Sequence, residues 1–266
     1  MYKKLILLVV ATLFIYNTYA NATQFRSSNV EKRYFKKTSV KATGDVEQSV
    51  RFGFSHITGN VETLNLNAKY AMSVIVDGYG NQPLKFALLS SAYFSKGNDK
   101  KSNEEYFVDL GMEQVIYDGW LGYMATNWFR NPHFRNYNHK ISFNTGIGKE
   151  LLTDNINSFK LKLGVAYNIE DYSSNKETER YGSINGYIEY KNKLNENSNF
   201  NIKLGSMKNF SNTDKDYEAL AVIGIDFSVT KNINIMVEEE LHYDALPTGG
   251  LEKFDSKSMM TIGYHF

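Results

Sequence analysis

The sequence predicts an all-β fold, an antiparallel transmembrane β-barrel of about 12 strands with periplasmic termini, and three observations carry that reading. After position 46, apolar and polar residues alternate with period two through most of the chain, the signature of strands with two unlike faces. No apolar run beyond the amino terminus reaches the roughly 18 residues of a membrane helix, which excludes a helical bundle. The last strand, Ser256 to Phe266, sets Ser258, Met260, Ile262, Tyr264 and Phe266 on one face and Met259, Thr261, Gly263 and His265 on the other. A greasy aromatic row backed by a smaller, mostly polar one suits a stave with lipid outside and a lumen inside. An aromatic content of 14%, with 19 Tyr against 3 Pro, favours strands and interfacial girdles over helices.

The amino terminus reads as an export signal over residues 1–22. Lys3 and Lys4 form a positive start, Leu5 to Ile15 a short apolar run, and Ala20-Asn21-Ala22 an A-x-A cleavage site. Of 30 Lys and Arg, two lie in that leader, leaving 28 against 29 Asp and Glu and a mature formal charge of −1. That balance argues against nucleic acid as a partner. With no cysteine, disulfides, thiolate metal sites and thiol catalysis are excluded. Residues 23–45 carry Arg26, Lys32, Arg33, Lys36, Lys37 and Lys41 against Glu31 and Asp45 without apolar periodicity, and are expected to form a basic periplasmic lead-in. Residues 46–266 are then the barrel. The 244 residues left after the leader make about a dozen strands at roughly 20 residues per strand and connection.

The first hairpin pairs a strand through Val50, Phe52 and Phe54 with one in which Leu64, Leu66, Ala68, Tyr70, Met72 and Val74 alternate with Asn65, Asn67, Lys69, Ala71 and Ser73, joined at Thr58-Gly59-Asn60. Its amide-rich side suggests a wet lumen. Further strands are expected near Leu84 to Ser95, Glu105 to Ile116, Trp120 to Arg130, Asn138 to Leu151, Ser158 to Glu170, Tyr181 to Tyr190, Phe200 to Phe210, Tyr217 to Val229 and Ile233 to Tyr243. In the seventh strand Leu163 belongs to the lipid row and Gly164 to the lumen row, so Leu163→Arg should be costly and Gly164→Ser mild. Long outer loops are expected at Lys96 to Asn103, Asn131 to Tyr137, Asp171 to Arg180, Ser211 to Asp216 and Asp244 to Asp255. Tyr117-Asp118-Gly119 and Thr230-Lys231-Asn232 are short inner turns, whereas the inner connection Lys191 to Asn199 is too long for the rule. Glu239 conflicts with this pattern, since it shares parity with Ile235, Val237 and Leu241; a bulge at Glu238 to Glu240 or a shifted strand boundary would remove it from the lipid face.

The lumen-facing set mixes Arg51, Lys69, Lys160, Lys162 and Lys203 with Asp109, Glu113, Glu170, Glu189 and Asp226. Such a set either fills a small barrel with a cross-strand charge network or lines a narrow path for ions or small solutes. Catalysis finds little support. A hydrolase on a 12-stranded barrel needs a His and a Ser on one face of a strand, two residues apart, and no His-x-Ser occurs. Asp244 and Asp255 read as solvated carboxylates of the last outer loop. The five scattered histidines give no metal site, and nothing calls for a cofactor. The remaining alternative is a soluble periplasmic barrel with its apolar face turned inward around a ligand.

At Val50-Arg-Phe-Gly-Phe-Ser-His-Ile-Thr-Gly-Asn60, at Gly146-Ile-Gly148, and at the ending with Tyr243 to Pro247, Asp255 and Gly263-Tyr-His-Phe266, the chain resembles the salt-induced outer-membrane proteins, a Gram-negative domain family of unknown function. The resemblance spans roughly Val46 to Phe266. It implies a porin-like barrel in the outer membrane, contact with outer-membrane lipid, and a link to osmotic or salt stress, but brings no catalytic residues. It also implies recognition by barrel-assembly machinery, with Ile262, Tyr264 and Phe266 as the assembly signal.

Overall fold

The computed structural model describes residues 42–58, 63–97, 101–132, 136–154, 156–173, 176–212, 215–247 and 252–266. The expected leader and most of the basic lead-in lie outside them. Twelve strands follow one another: β1 Glu47–Thr58, β2 Thr63–Asp77, β3 Pro83–Gly97, β4 Lys101–Tyr117, β5 Trp120–Asn131, β6 Tyr137–Thr153, β7 Asn157–Tyr172, β8 Glu179–Lys193, β9 Ser198–Asn209, β10 Tyr217–Ser228, β11 Ile233–Asp244 and β12 Phe254–His265. Each pairs antiparallel with its sequence neighbours, and β1 closes on β12 from Ser49 opposite His265 to Thr58 opposite Ser256. Closure leaves no sheet edge unpaired, which a strand-built membrane span requires. With an even strand number both barrel ends of the chain lie together, and Phe266 N donates to Gln48 O at 3.1 Å across the seam.

Period two decides which residues face out. Phe52, Leu66, Leu163 and Ile262 are 55–65% exposed, whereas Arg51, Asn67, Lys69, Lys160 and Asp226 are at most 5% exposed. The apolar face is therefore the outer one, which rules out an inward-facing apolar lining around a ligand. Aromatic residues gather near the strand ends: Tyr264 and Phe266 meet edge-on at 5.1 Å, and at the other end Tyr217 and Tyr243 stack at 5.6 Å. Such girdles suit the two membrane interfaces.

The connections at the terminal end are short: 78–82, 118–119, 154–156, 194–197 and 229–232. Those at the opposite end include the longest, 173–178, 210–216 and 245–253. Two expectations change here. The long inner connection expected at Lys191 to Asn199 shrinks, because β8 runs to Lys193 and β9 starts at Ser198. The expected outer loop Lys96 to Asn103 is largely ladder, with Gly97 paired to Lys101; polar residues continue the hairpin once backbone pairing is established.

Glu239 is a third correction. The β11–β12 register runs unbroken through Glu238–Met259, Glu239–Ser258 and Glu240–Lys257, so no bulge interrupts it, and the slightly longer strands leave the parity of Glu239 unchanged. The carboxylate stays on the outer face and accepts a hydrogen bond from the Ser258 hydroxyl.

Candidate functional site

The barrel interior is the candidate site, and its charged side chains form three groups. In the first, adjacent inward positions on β7 carry Lys160 and Lys162. Both reach Glu113 on β4, Lys160 at 2.9 Å, while Lys160 also lies 3.5 Å from Glu150 and Lys162 3.2 Å from Glu189. The ammonium of Lys162 sits 5.7 Å from the Tyr123 ring centre and that of Lys203 5.8 Å from Tyr187. Asp109 accepts from Asn127 on the neighbouring strand. Between these groups the lumen holds a pocket of only about 80 Å³, room for a few waters.

The second group spans the seam. Lys69 on β2 pairs with Glu238 on β11 at 3.1 Å, and its ammonium also lies 3.4 Å from Met259 Sδ. Lys257 on β12 sits 3.0 Å from the Tyr93 ring centre and 3.7 Å from Glu105 on β4. Arg51 lies flat over its cross-strand partner Gly263, where an added Cβ would come within 2.9 Å of its Cγ. Asp226 accepts from Asn199 at 3.3 Å and from Asn234.

The third group lies towards the end with the long connections. Lys140 on β6 bridges Glu170 on β7 and Glu218 on β10, the latter at 3.0 Å, with His242 3.6 Å from Glu218. Glu170 also accepts from the hydroxyls of Tyr181 at 2.6 Å, Tyr172, and Tyr137 at 3.5 Å. Beyond it opens a cavity of about 740 Å³. In its wall, Asp216 is raised above the usual carboxylate range by partial burial, against the lowering effect of an Asn209 hydrogen bond.

The Lys69–Glu238, Lys140–Glu218 and Lys257–Glu105 pairs and those of Lys160 and Lys162 with Glu113 join strands that are not neighbours in the sheet, so they cross the lumen, whereas Lys140–Glu170, Lys160–Glu150 and Lys162–Glu189 brace adjacent strands. Both partners in the Lys69–Glu238 and Lys257–Glu105 pairs are at most 2% exposed. Buried ionic groups of this kind persist only when paired and hydrogen-bonded, because desolvation is otherwise prohibitive. The interior is also drier than its amides suggested: Leu89, Phe107, Phe129, Tyr137 and Tyr172 form an apolar cluster inside it, and Tyr181, Met207, Leu220 and Val222 a second. Their inward parity follows from the sequence, since Phe107 lies between Glu105 and Asp109, but the polar members of each row outnumber them along the strands.

Of the residues weighed for catalysis, the two aspartates share the inner face of adjacent strands, with Asp255 opposite His242, whereas His139 and Ser142 face opposite ways. Asp244 and Asp255 are inward strand residues at 7% and 4% exposure, not solvated loop carboxylates, because β11 and β12 extend further than expected. His139 is outward and accepts from Trp128 Nε1 at 3.2 Å, whereas Ser142 is buried and donates to Asn168. One juxtaposition missed along the strands appears across them, His56 opposite Ser258. The Ser258 hydroxyl donates to the Glu239 carboxylate.

Comparisons with known proteins agree with this architecture. The chain is similar to the NanC porin, at 9% identity and a TM-score of 0.51, over 81% of this chain and 98% of that one. It is also similar to an outer-membrane channel from Pseudomonas putida F1, at 9% identity and a TM-score of 0.50, over 87% and 98%. At that identity the likeness is one of fold. In sequence, the family described as "Protein of unknown function, DUF481" matches residues 50–266. No curated protein matches.

Proposed function

Taking as premise that the chain belongs to the DUF481 family, whose function is unknown, we propose that it is a non-enzymatic outer-membrane barrel, closed at rest, that conducts small ions at most narrowly. The observation that carries this reading is the set of buried ion pairs running from strand to non-neighbouring strand, Lys69–Glu238, Lys140–Glu218, Lys160–Glu113 and Lys257–Glu105. Each is a side-chain crossbar, and passage requires at least one to swing aside. In such a path selectivity follows the charges exposed by that movement.

The finer parts of the proposal concern cell context. Residues 1–22 act as a cleavable signal, residues 23–45 remain periplasmic with the barrel termini, and the row Ile262, Tyr264 and Phe266 addresses the assembly machinery. The family resemblance supports a role in envelope integrity under osmotic or salt stress. A deletion strain losing viability on osmotic upshift, with rescue by the intact gene, is the expected outcome there.

Single-channel recording of the purified, refolded barrel beside lipase and protease assays tests the central claim. Rare, small conductance steps are expected, becoming more frequent and more cation-selective when Lys160 and Lys162 are both changed to Glu. A large steady conductance in the unmodified protein would contradict a closed resting state. Robust hydrolysis would sink the non-enzymatic reading.

A further inference from the structure

The cavity at the end with the long connections has a lining unlike the rest of the lumen. Glu170 and Glu218 of its lining are tied together by Lys140, and the space forms a cup at this end of the barrel. At about 740 Å³ it falls within the range of small-molecule sites. Five carboxylates line it, those of Glu170, Glu179, Asp216, Glu218 and Asp244, against the cations of Lys176 and Arg180.

The cup already shows how it receives an ammonium group. Lys176 Nζ lies 4.1 Å from the Tyr172 ring centre and 3.0 Å from Glu179 Oε1, and the Tyr172 hydroxyl oxygen, whose proton goes to Glu170, stands 2.9 Å from Glu179 Oε2. Lys140 repeats the arrangement beneath, 5.0 Å from the Tyr137 ring centre and held by two carboxylates. An aromatic face with a carboxylate beside it is the surrounding that an organic cation selects, through attraction to the ring face and a charge-assisted hydrogen bond. Lys176 is the half-exposed one of the two, and it can leave its seat.

We propose that this cup binds a small linear organic cation with primary ammonium groups, which takes the seat that Lys176 occupies on Tyr172 and Glu179 and extends towards Asp216. An anionic solute would meet an excess of carboxylates. A bare metal ion fits less well, because among the described residues no three His, Asp or Glu side chains converge as ligands. The proposal does not depend on conduction through the lumen.

Calorimetric titration of 1,4-diaminobutane into the full-length protein, purified from membranes in detergent, tests it. Saturable binding is expected, weakened about tenfold by Glu179→Gln or Asp216→Asn, the effect of one lost charge-assisted contact. Lys176→Ala should tighten binding severalfold by removing the tethered competitor, a result that a damaged fold would not produce. Succinate and glucose should give no saturable heat. Absence of saturable diamine binding by the unmodified protein would overturn the proposal. So would weaker or unchanged binding in Lys176→Ala, or magnesium chloride reproducing the diamine isotherm with the same sensitivity to both carboxylate changes.

Discussion

A methyl group added at Gly164 should destabilise the barrel far more than the same group added at Gly186, although both glycines lie in the well-registered middle of the sheet. Tyr123, Gly146, Gly164 and Asn185 face one another in a single row across β5 to β8. The Tyr123 ring lies along that row, over both glycines, and its hydroxyl ends 3.0 Å from Asn185 Oδ1. A Cβ at Gly164 would stand 2.3 Å from Tyr123 Oη and 2.4 Å from the Thr145 carbonyl oxygen. The ring can swing away, at the loss of its hydrogen bond, but the carbonyl belongs to the ladder. Overpacking costs about 1–3 kcal/mol and a broken hydrogen bond about 1 more, so Gly164→Ala should cost about 2–4 kcal/mol. At Gly186, on the outer face, the nearest atoms to an added Cβ are 3.8 Å away, and the change should be neutral or stabilising by up to about 1 kcal/mol. Urea titrations of the refolded barrel in lipid vesicles, followed by heat-dependent gel mobility, measure both. Equal midpoints for the two variants would refute the account of Tyr123 as a strut laid over a glycine floor. The expectation that Gly164→Ser is mild fails for the same reason: the lumen row at this point is filled by a neighbour's ring, not by water.

Leu163→Arg places a cation on the outer apolar face and should cost roughly 2–4 kcal/mol near the bilayer midplane, read from the same titrations; an unchanged midpoint would mean that this face does not meet lipid. Glu113→Ala removes the acceptor shared by Lys160 and Lys162 and should cost about 3–5 kcal/mol, because two buried ammonium groups lose a partner, while channel steps in planar bilayers become more frequent. Phe266→Glu should lower the amount of folded barrel recovered in outer membranes, whereas His265→Ala should leave that amount intact and lower urea resistance by about 1 kcal/mol through the lost contact with Asn234 at 3.0 Å. Matching membrane levels for the Phe266 and His265 variants would remove the assembly role given to the last row.

How much of this was legible in the sequence depends on the range of the interaction. The alternation of Leu161, Leu163 and Val165 with Lys160, Lys162 and Gly164 is a local consequence of strand geometry, and β7 follows it in parity throughout. Strand ends were less legible: polar residues such as Lys96 and Asn103 carry no apolar period, yet they remain in the ladder because a paired neighbour strand satisfies their backbone. Glu239 misled through the same logic. A rule that sends every carboxylate away from lipid asks for a bulge, whereas the structure keeps the register and gives the carboxylate a cross-strand serine, a partner that no inspection of β11 alone reveals.

Partners across the lumen were beyond the reach of parity altogether. The alternation assigns Lys69 and Glu238 to the inner face, but that they meet depends on closure between β1 and β12 and on the stagger of strands 169 residues apart in sequence. The same holds for Lys257 and Glu105. A wet channel and a barred one can therefore be written with the same inward residues, and what separates them is whether opposite charges come to the same height on facing walls. Here they do in three places, and inward aromatic and aliphatic side chains such as Phe107, Phe129 and Leu89 fill space beside them. Removing charge from a single crossbar should consequently change conduction more than removing an equally buried amide from the wall: an amide such as Asn168 bonds to Ser142 and Ser183 on the two adjacent strands, whereas a crossbar lysine holds two walls together.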